Sequence, residues 1–137
     1  MIDYIVKKDF LIYLAKNNNY ECLDIPLTRL FNNLLKPYLT DLKSREKQTK
    51  LYFNFSSKIP IYIDRNHIFL AINTYRLSDS LYLNYFSIYK WEKIRKGVLV
   101  EFISGHCLIL SSYNKFIKQI EKIKIILADK YIKLNNL

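Results

Sequence analysis

From Lys58 to Tyr89 the apolar positions return at every second residue, and the rest of the chain is organised around this stretch. Ile59, Ile61 and Ile63 alternate with Pro60 and Tyr62, the period of a half-buried strand. Asp64-Arg65-Asn66 carries turn chemistry, and Ile68 to Ile72 follows as an apolar run too short for a helix. Tyr82, Asn84, Phe86 and Ile88 then alternate with Leu83, Tyr85, Ser87 and Tyr89. Both faces of this third strand are largely apolar or aromatic, which places it inside a sheet or against a partner.

Shorter strand patterns precede it: Tyr4–Val6 and Phe10–Leu14 joined by Lys7-Lys8-Asp9, then a turn at Asn17-Asn18-Asn19 and a strand from Tyr20 to Leu23. The period then changes. Leu27, Leu30, Phe31, Leu34 and Leu35 form a helical stripe, with Pro26 at its first position, Asp24 near its start and an end near Lys36 or Pro37. Such a helix serves as a lid over a sheet. Residues 38–50 are the most polar segment and lead to a strand pattern from Leu51 to Phe55. Residues 90–97 read as a basic connection, in which Trp91 anchors the turn against the core. Val98–Ile103 and Cys107–Leu110 then make a hairpin about Ser104-Gly105-His106. Ser112 is a fitting N-cap for a last helix near 113–131, whose stripe is Phe116, Ile120, Ile123 and Leu127, widened by Ile117 and Ile126. The pattern predicts one α+β domain over residues 1–137. Its sheet is antiparallel or a partly closed barrel of about seven to nine strands, with one short internal helix and a C-terminal amphipathic helix.

Charge adds a function class. The net charge is +10, which attracts a polyanion: nucleic acid or an anionic membrane surface. Of the 22 basic residues 17 are Lys, and the chain is rich in Ile, Asn and Tyr, a composition that AT-rich coding produces without any function. The candidates for DNA contact fall in three places. Lys43, Arg45, Lys47 and Lys50 lie in the polar segment, read either as an ordinary solvated loop or as a basic loop that reaches DNA. Arg76 lies in the loop 73–80 beside the hydroxyls of Thr74, Ser78 and Ser80. Lys93, Arg95 and Lys96 lie in the connection.

Catalysis finds no footing. There is no Gly-rich phosphate loop, no convincing carboxylate pair and no Ser/His/Asp or Cys/His spacing, and nothing calls for a metal or cofactor. His106 reads as a surface residue, and Cys22 and Cys107 as buried free thiols of a reducing compartment. No apolar run is long enough to cross a bilayer and no signal peptide is visible at the start, so the expected location is the cytoplasm.

Lys58-x-Pro60-Ile61-x-Ile63-Asp64, followed after a three-residue gap by Ile68-Phe69-Leu70, resembles a block of the competence transcription factor family ComK. The resemblance continues through Gly97-Val98 to Ser112-Tyr113-Asn114-x-Phe116-x-x-Gln119, with Arg45 and Thr49 where that family has an Arg and a Thr. It is good over roughly 45–128 and looser over 3–44. Two departures stand out: the family's Pro-Thr-x-Ser segment is replaced by Ile72-Asn73-Thr74-Tyr75-Arg76, and Tyr82 stands where Trp is usual. The resemblance implies a nucleoid-associated activator of DNA-uptake genes. It would bind AT-rich double-stranded DNA as dimers and pairs of dimers, partly through the minor groove, with a Clp-protease adaptor as a further partner. It favours the DNA-reaching role for Lys43 to Lys50. An Arg pays less desolvation than a Lys in a narrow groove, so one or both of Arg45 and Arg76, the two in polar loops, are expected in the minor groove, with Lys43, Lys47, Lys93 and Lys96 on phosphates. The competing reading, a basic protein-interaction or membrane-surface module, accounts for the charge and leaves the order of segments unexplained.

Overall fold

The computed structural model describes residues 1–17, 19–73 and 80–135. Its elements, in order, are β1 (Ile2–Lys8), β2 (Leu11–Lys16), β3 (Asn19–Leu23), α1 (Leu27–Leu35), α2 (Leu42–Phe53), β4 (Ile61–Asp64), β5 (His67–Asn73), β6 (Ser80–Asn84), β7 (Ile88–Ile94), β8 (Gly97–Phe102), β9 (Cys107–Leu110) and α3 (Tyr113–Asn135). The nine described strands form two antiparallel sheets, ordered β3-β2-β1-β6-β5-β4 and β7-β8-β9. The chain is therefore α+β with two open sheets, and the barrel alternative does not hold.

The large sheet is covered on both faces. Side chains alternate along a strand, so Ile5, Ile12, Leu14 and Phe69 pack with Leu30, Phe31 and Leu35 of α1. Tyr4, Leu70, Ile72 and Leu83 face the other way, onto Val98, Val100 and Phe102 of β8 and Phe116, Ile120 and Ile123 of α3. This is why both faces of the central strands are apolar. α1 is the expected lid. Pro26 is its N-cap with φ −60°, and no side chain caps it, so the helix begins one residue later than expected and Asp24 has no capping role.

Several sequence expectations need correction. Residues 42–53 form a helix, where the pattern had read a polar loop and then a strand from Leu51. Asp41 caps it, its Oδ1 accepting from the Ser44 amide at 2.8 Å, and Asn54 ends it in the left-handed conformation at φ 58°. Hence there are two internal helices among the described residues. The expected strand 82–89 breaks at Asn84, passes through a one-turn 3₁₀ helix (Tyr85–Ser87) and resumes as β7 in the other sheet. The basic connection 90–97 is mostly strand, and its turn is only Arg95-Lys96. Ile59 and Pro60 precede β4.

Two turns carry the predicted chemistry. Asp64 Oδ1 accepts from the Asn66 amide at 2.8 Å, and Asn17 takes φ 45° between β2 and β3. Gly97 takes φ 144° where any Cβ would overlap the Leu110 carbonyl, so the start of β8 demands glycine. Ser112 Oγ accepts from the Lys115 amide at 3.2 Å, the expected cap of α3.

Both cysteines are free and exposed, contrary to the expected burial, because Cys22 lies on the outer strand β3 and Cys107 starts the edge strand β9. His106 is likewise no surface residue: its side chain is 13% exposed and its Nδ1 lies 3.1 Å from Asp3 Oδ2. Ser104 Oγ donates to the same carboxylate oxygen at 2.5 Å, so the β8–β9 turn is tied to β1.

Candidate nucleic-acid interface

The polar segment is a helix, and that changes how its charges are grouped. Lys43, Lys47 and Lys50 follow i, i+4, i+7 spacing, so they share one face of α2 over roughly 10 Å of axis. All three are exposed, and none makes an ion pair among the described residues. A helix propagates readily through Leu-Lys-Ser-Arg-Glu-Lys-Gln because long unbranched side chains lose little rotamer freedom there. Asp41, three residues before Ser44, was the available sign of its start.

Arg45 is on a different face. It is half-buried, its guanidinium lies 5.5 Å from the Tyr62 ring centre, and its Nε is buried with no hydrogen-bond partner. Thr49, one turn on, is buried and donates to the Arg45 carbonyl at 2.8 Å. Arg45, Gln48 and Tyr52 of α2, Tyr62 of β4, and Ile126 and Asp129 of α3 border a cavity of about 590 Å³. Tyr52 donates to Asp129 Oδ1 at 3.4 Å across it. Burial raises the Tyr62 phenol above its ordinary value, with Arg45 pulling the other way. Burial also holds the Glu46 carboxyl above its ordinary value, although it sits among the lysines of α2.

The second group lies at the tip of the β7–β8 hairpin. Lys93, Arg95 and Lys96 are exposed, and Lys93 Nζ rests 5.1 Å from the Tyr113 ring centre at the start of α3. Trp91 turns inward with its ring 5.4 Å from that of Phe116, which anchors the hairpin as expected. The hairpin therefore presents its cations from a rigid ribbon. The outer lysine of β7, Lys90, is instead paired with Glu101 at 3.6 Å. Arg76, Thr74 and Ser78 lie outside the described residues, whereas Ser80 begins β6 and pairs Lys7.

No described helix is long and apolar enough to cross a membrane, and no cluster of metal-ligating side chains occurs among the described residues. The molecule so defined is a small, strongly basic α+β module, and cations without an ion pair stand on α2 and on the β7–β8 hairpin among other places. The chain belongs to the ComK family, whose ComK protein model matches residues 8–131, and which is a family of competence transcription factors. No curated protein and no solved structure matches it.

Proposed function

We propose that this chain binds duplex DNA and activates competence genes, with a preference for AT-rich sites read partly through the minor groove. The observation that carries the reading is the face of α2 on which Lys43, Lys47 and Lys50 stand exposed and unpaired, in a member of a transcription factor family. Three ammonium groups spaced along one helix face match the repeat of a phosphate backbone, whose contacts supply affinity without sequence information. Lys93, Arg95 and Lys96 form the second phosphate-binding group. Selection of AT-rich sequence falls to Arg45 and Arg76, since a guanidinium is less strongly hydrated than an ammonium and suits a narrow A-tract groove. The same family resemblance makes a homodimer the binding unit, the nucleoid its location and a Clp-protease adaptor a partner.

Mobility shifts on AT-rich and GC-rich duplexes at several salt concentrations test this. Replacing Lys43, Lys47 and Lys50 by Ala should weaken binding to both duplexes and flatten the log–log salt slope by about 0.9 per lost phosphate contact. An unchanged slope would remove α2 from the interface.

A further inference from the structure

The tip of the β1–β2 hairpin carries an aromatic residue that the fold does not use. Lys8 pairs Leu11, which leaves Asp9 and Phe10 as a two-residue loop, with Asp9 at φ 54°. Asp tolerates that conformation, and nothing in the turn requires an aromatic beside it. Phe10 is nevertheless 89% exposed and belongs to neither of the two apolar cores. Behind it stand Lys7 and Lys8, and neither makes an ion pair among the described residues. Consecutive strand residues point to opposite faces, so the two ammonium groups leave the ribbon on opposite sides. With Asp9, the tip still has one net positive charge.

We infer that Phe10 is a wedge that inserts between stacked base pairs of duplex DNA, with Lys7 and Lys8 on the phosphates of the two backbones beside the groove. The inference rests on the DNA-binding reading above. A planar apolar side chain at the apex of a basic ribbon suits this use: it gains cover by entering a base step, while the lysines behind it gain phosphates. Wedges of this kind kink duplexes by roughly 20–90°, most readily at pyrimidine–purine steps. The site therefore favours a flexible TA step, a preference that needs no hydrogen bond to any base.

An AT-rich duplex with aminopurine placed beside a central TA step reports insertion directly, because the base brightens when unstacked. The parent and Phe10→Leu, which keeps an apolar wedge, should raise the fluorescence several-fold, and Phe10→Ala should not. F10A should still bind with the parent's salt slope, and circular dichroism should show it folded, since the side chain packs on nothing in the core. Leu39→Ala is the control. Leu39 is 95% exposed, and its neighbour Tyr38 bonds Asp64, at the end of the sheet where His67 meets the Ile2 amide and opposite Lys8. L39A should behave as the parent. If the parent binds the duplex and F10A brightens the probe equally, or neither brightens it, the wedge is wrong and the DNA reading stands. If the parent does not bind duplex at all, both fall. If F10A instead loses only binding to phosphatidylserine vesicles, the tip faces a membrane and the wedge is again overturned.

Discussion

The guanidinium of Arg45 lies 5.5 Å from the centre of the Tyr62 ring, so α2 is fixed to the outer strand β4 by the same arginine proposed to read DNA. The contact sets a test that separates anchoring from recognition. A cation over an aromatic face is worth about 0.5–1 kcal/mol when exposed and about 2 when desolvated. Arg45→Lys should therefore lower stability in urea by about 1 kcal/mol in the parent and by little in a Tyr62→Leu background. In mobility shifts the same variant should lose preference for AT-rich over GC-rich duplex while keeping its salt slope. An R45K protein that discriminates as well as the parent would limit Arg45 to the anchoring role.

Asn84 marks where the third expected strand changes sheets, and its side chain explains the break. Oδ1 accepts from the amides of Ile68 at 3.2 Å and Phe86 at 3.3 Å. Nδ2 lies within bonding distance of the Ile2 carbonyl, the Asn66 carbonyl and Ser87 Oγ, at 2.9, 3.0 and 3.2 Å. The residue is fully buried. Asn84→Leu would orphan several backbone groups at once, each costing roughly 1–3 kcal/mol. A loss of roughly 3 kcal/mol or more is expected in chemical denaturation. Asn84→Asp should be as damaging, because a carboxylate cannot donate to the Ile2 carbonyl. A loss under about 1 kcal/mol for either variant would show that water replaces these bonds.

Period-two alternation placed β4, whose Ile61 and Ile63 are buried, short apolar runs placed β2, β5 and β9, and period 3.6 placed α1 and α3, because each of those helices buries one regular face. α2 was not legible that way. Thr49 is its one buried residue, with Leu42, Arg45 and Phe53 half-buried, so no apolar stripe announces it, although Asp41 and a run of strong helix formers did. Pairing of β1 with β6 joins residues nearly eighty apart, which no local pattern encodes. The side-chain contact between Asp3 and His106 spans 103 residues and was invisible for the same reason. Of the proposed DNA contacts, the residue types were legible but the grouping was not. Only the helix shows that Lys43, Lys47 and Lys50 share a face while Arg45 leaves it.

Asp64 gives a prediction in pH. Partial burial pushes its carboxyl up, but the bonds from the Asn66 amide, the His67 ring and the Tyr38 hydroxyl outweigh this and hold it below its ordinary value. A group with a depressed folded pKa contributes stability that is present above its unfolded pKa and is lost as pH falls through the folded one. Thermal melts should therefore be level above about pH 5 and decline below the ordinary carboxylate range near 3.9. Asp64→Asn should be less stable by about 1 kcal/mol at neutral pH and should show a shallower acid decline. Parallel acid declines for the two proteins would assign the acid sensitivity elsewhere.

Glu46 has the opposite sign. Burial holds its carboxyl above the ordinary value, and no ion pair to Lys43, Lys47 or Lys50 offsets it among the described residues. A raised folded pKa means the folded state binds the proton more tightly than the unfolded one. Stability is then greatest below the unfolded pKa and falls as pH rises through the folded value, so at neutral pH the ionised Glu46 works against folding. Glu46→Gln keeps the shape and removes the charge. Its melting temperature should exceed the parent's at neutral pH, and the gap should close near pH 4, where both side chains are neutral. The substitution also deletes the one acidic group within the lysine-bearing stretch of α2. Affinity for duplex of any sequence should therefore rise, with no change in salt slope, because no phosphate contact has been added. If E46Q melts below the parent at neutral pH, the carboxylate holds a charge-dependent bond in the folded chain. If it melts higher yet binds DNA no better, α2 does not face the phosphates.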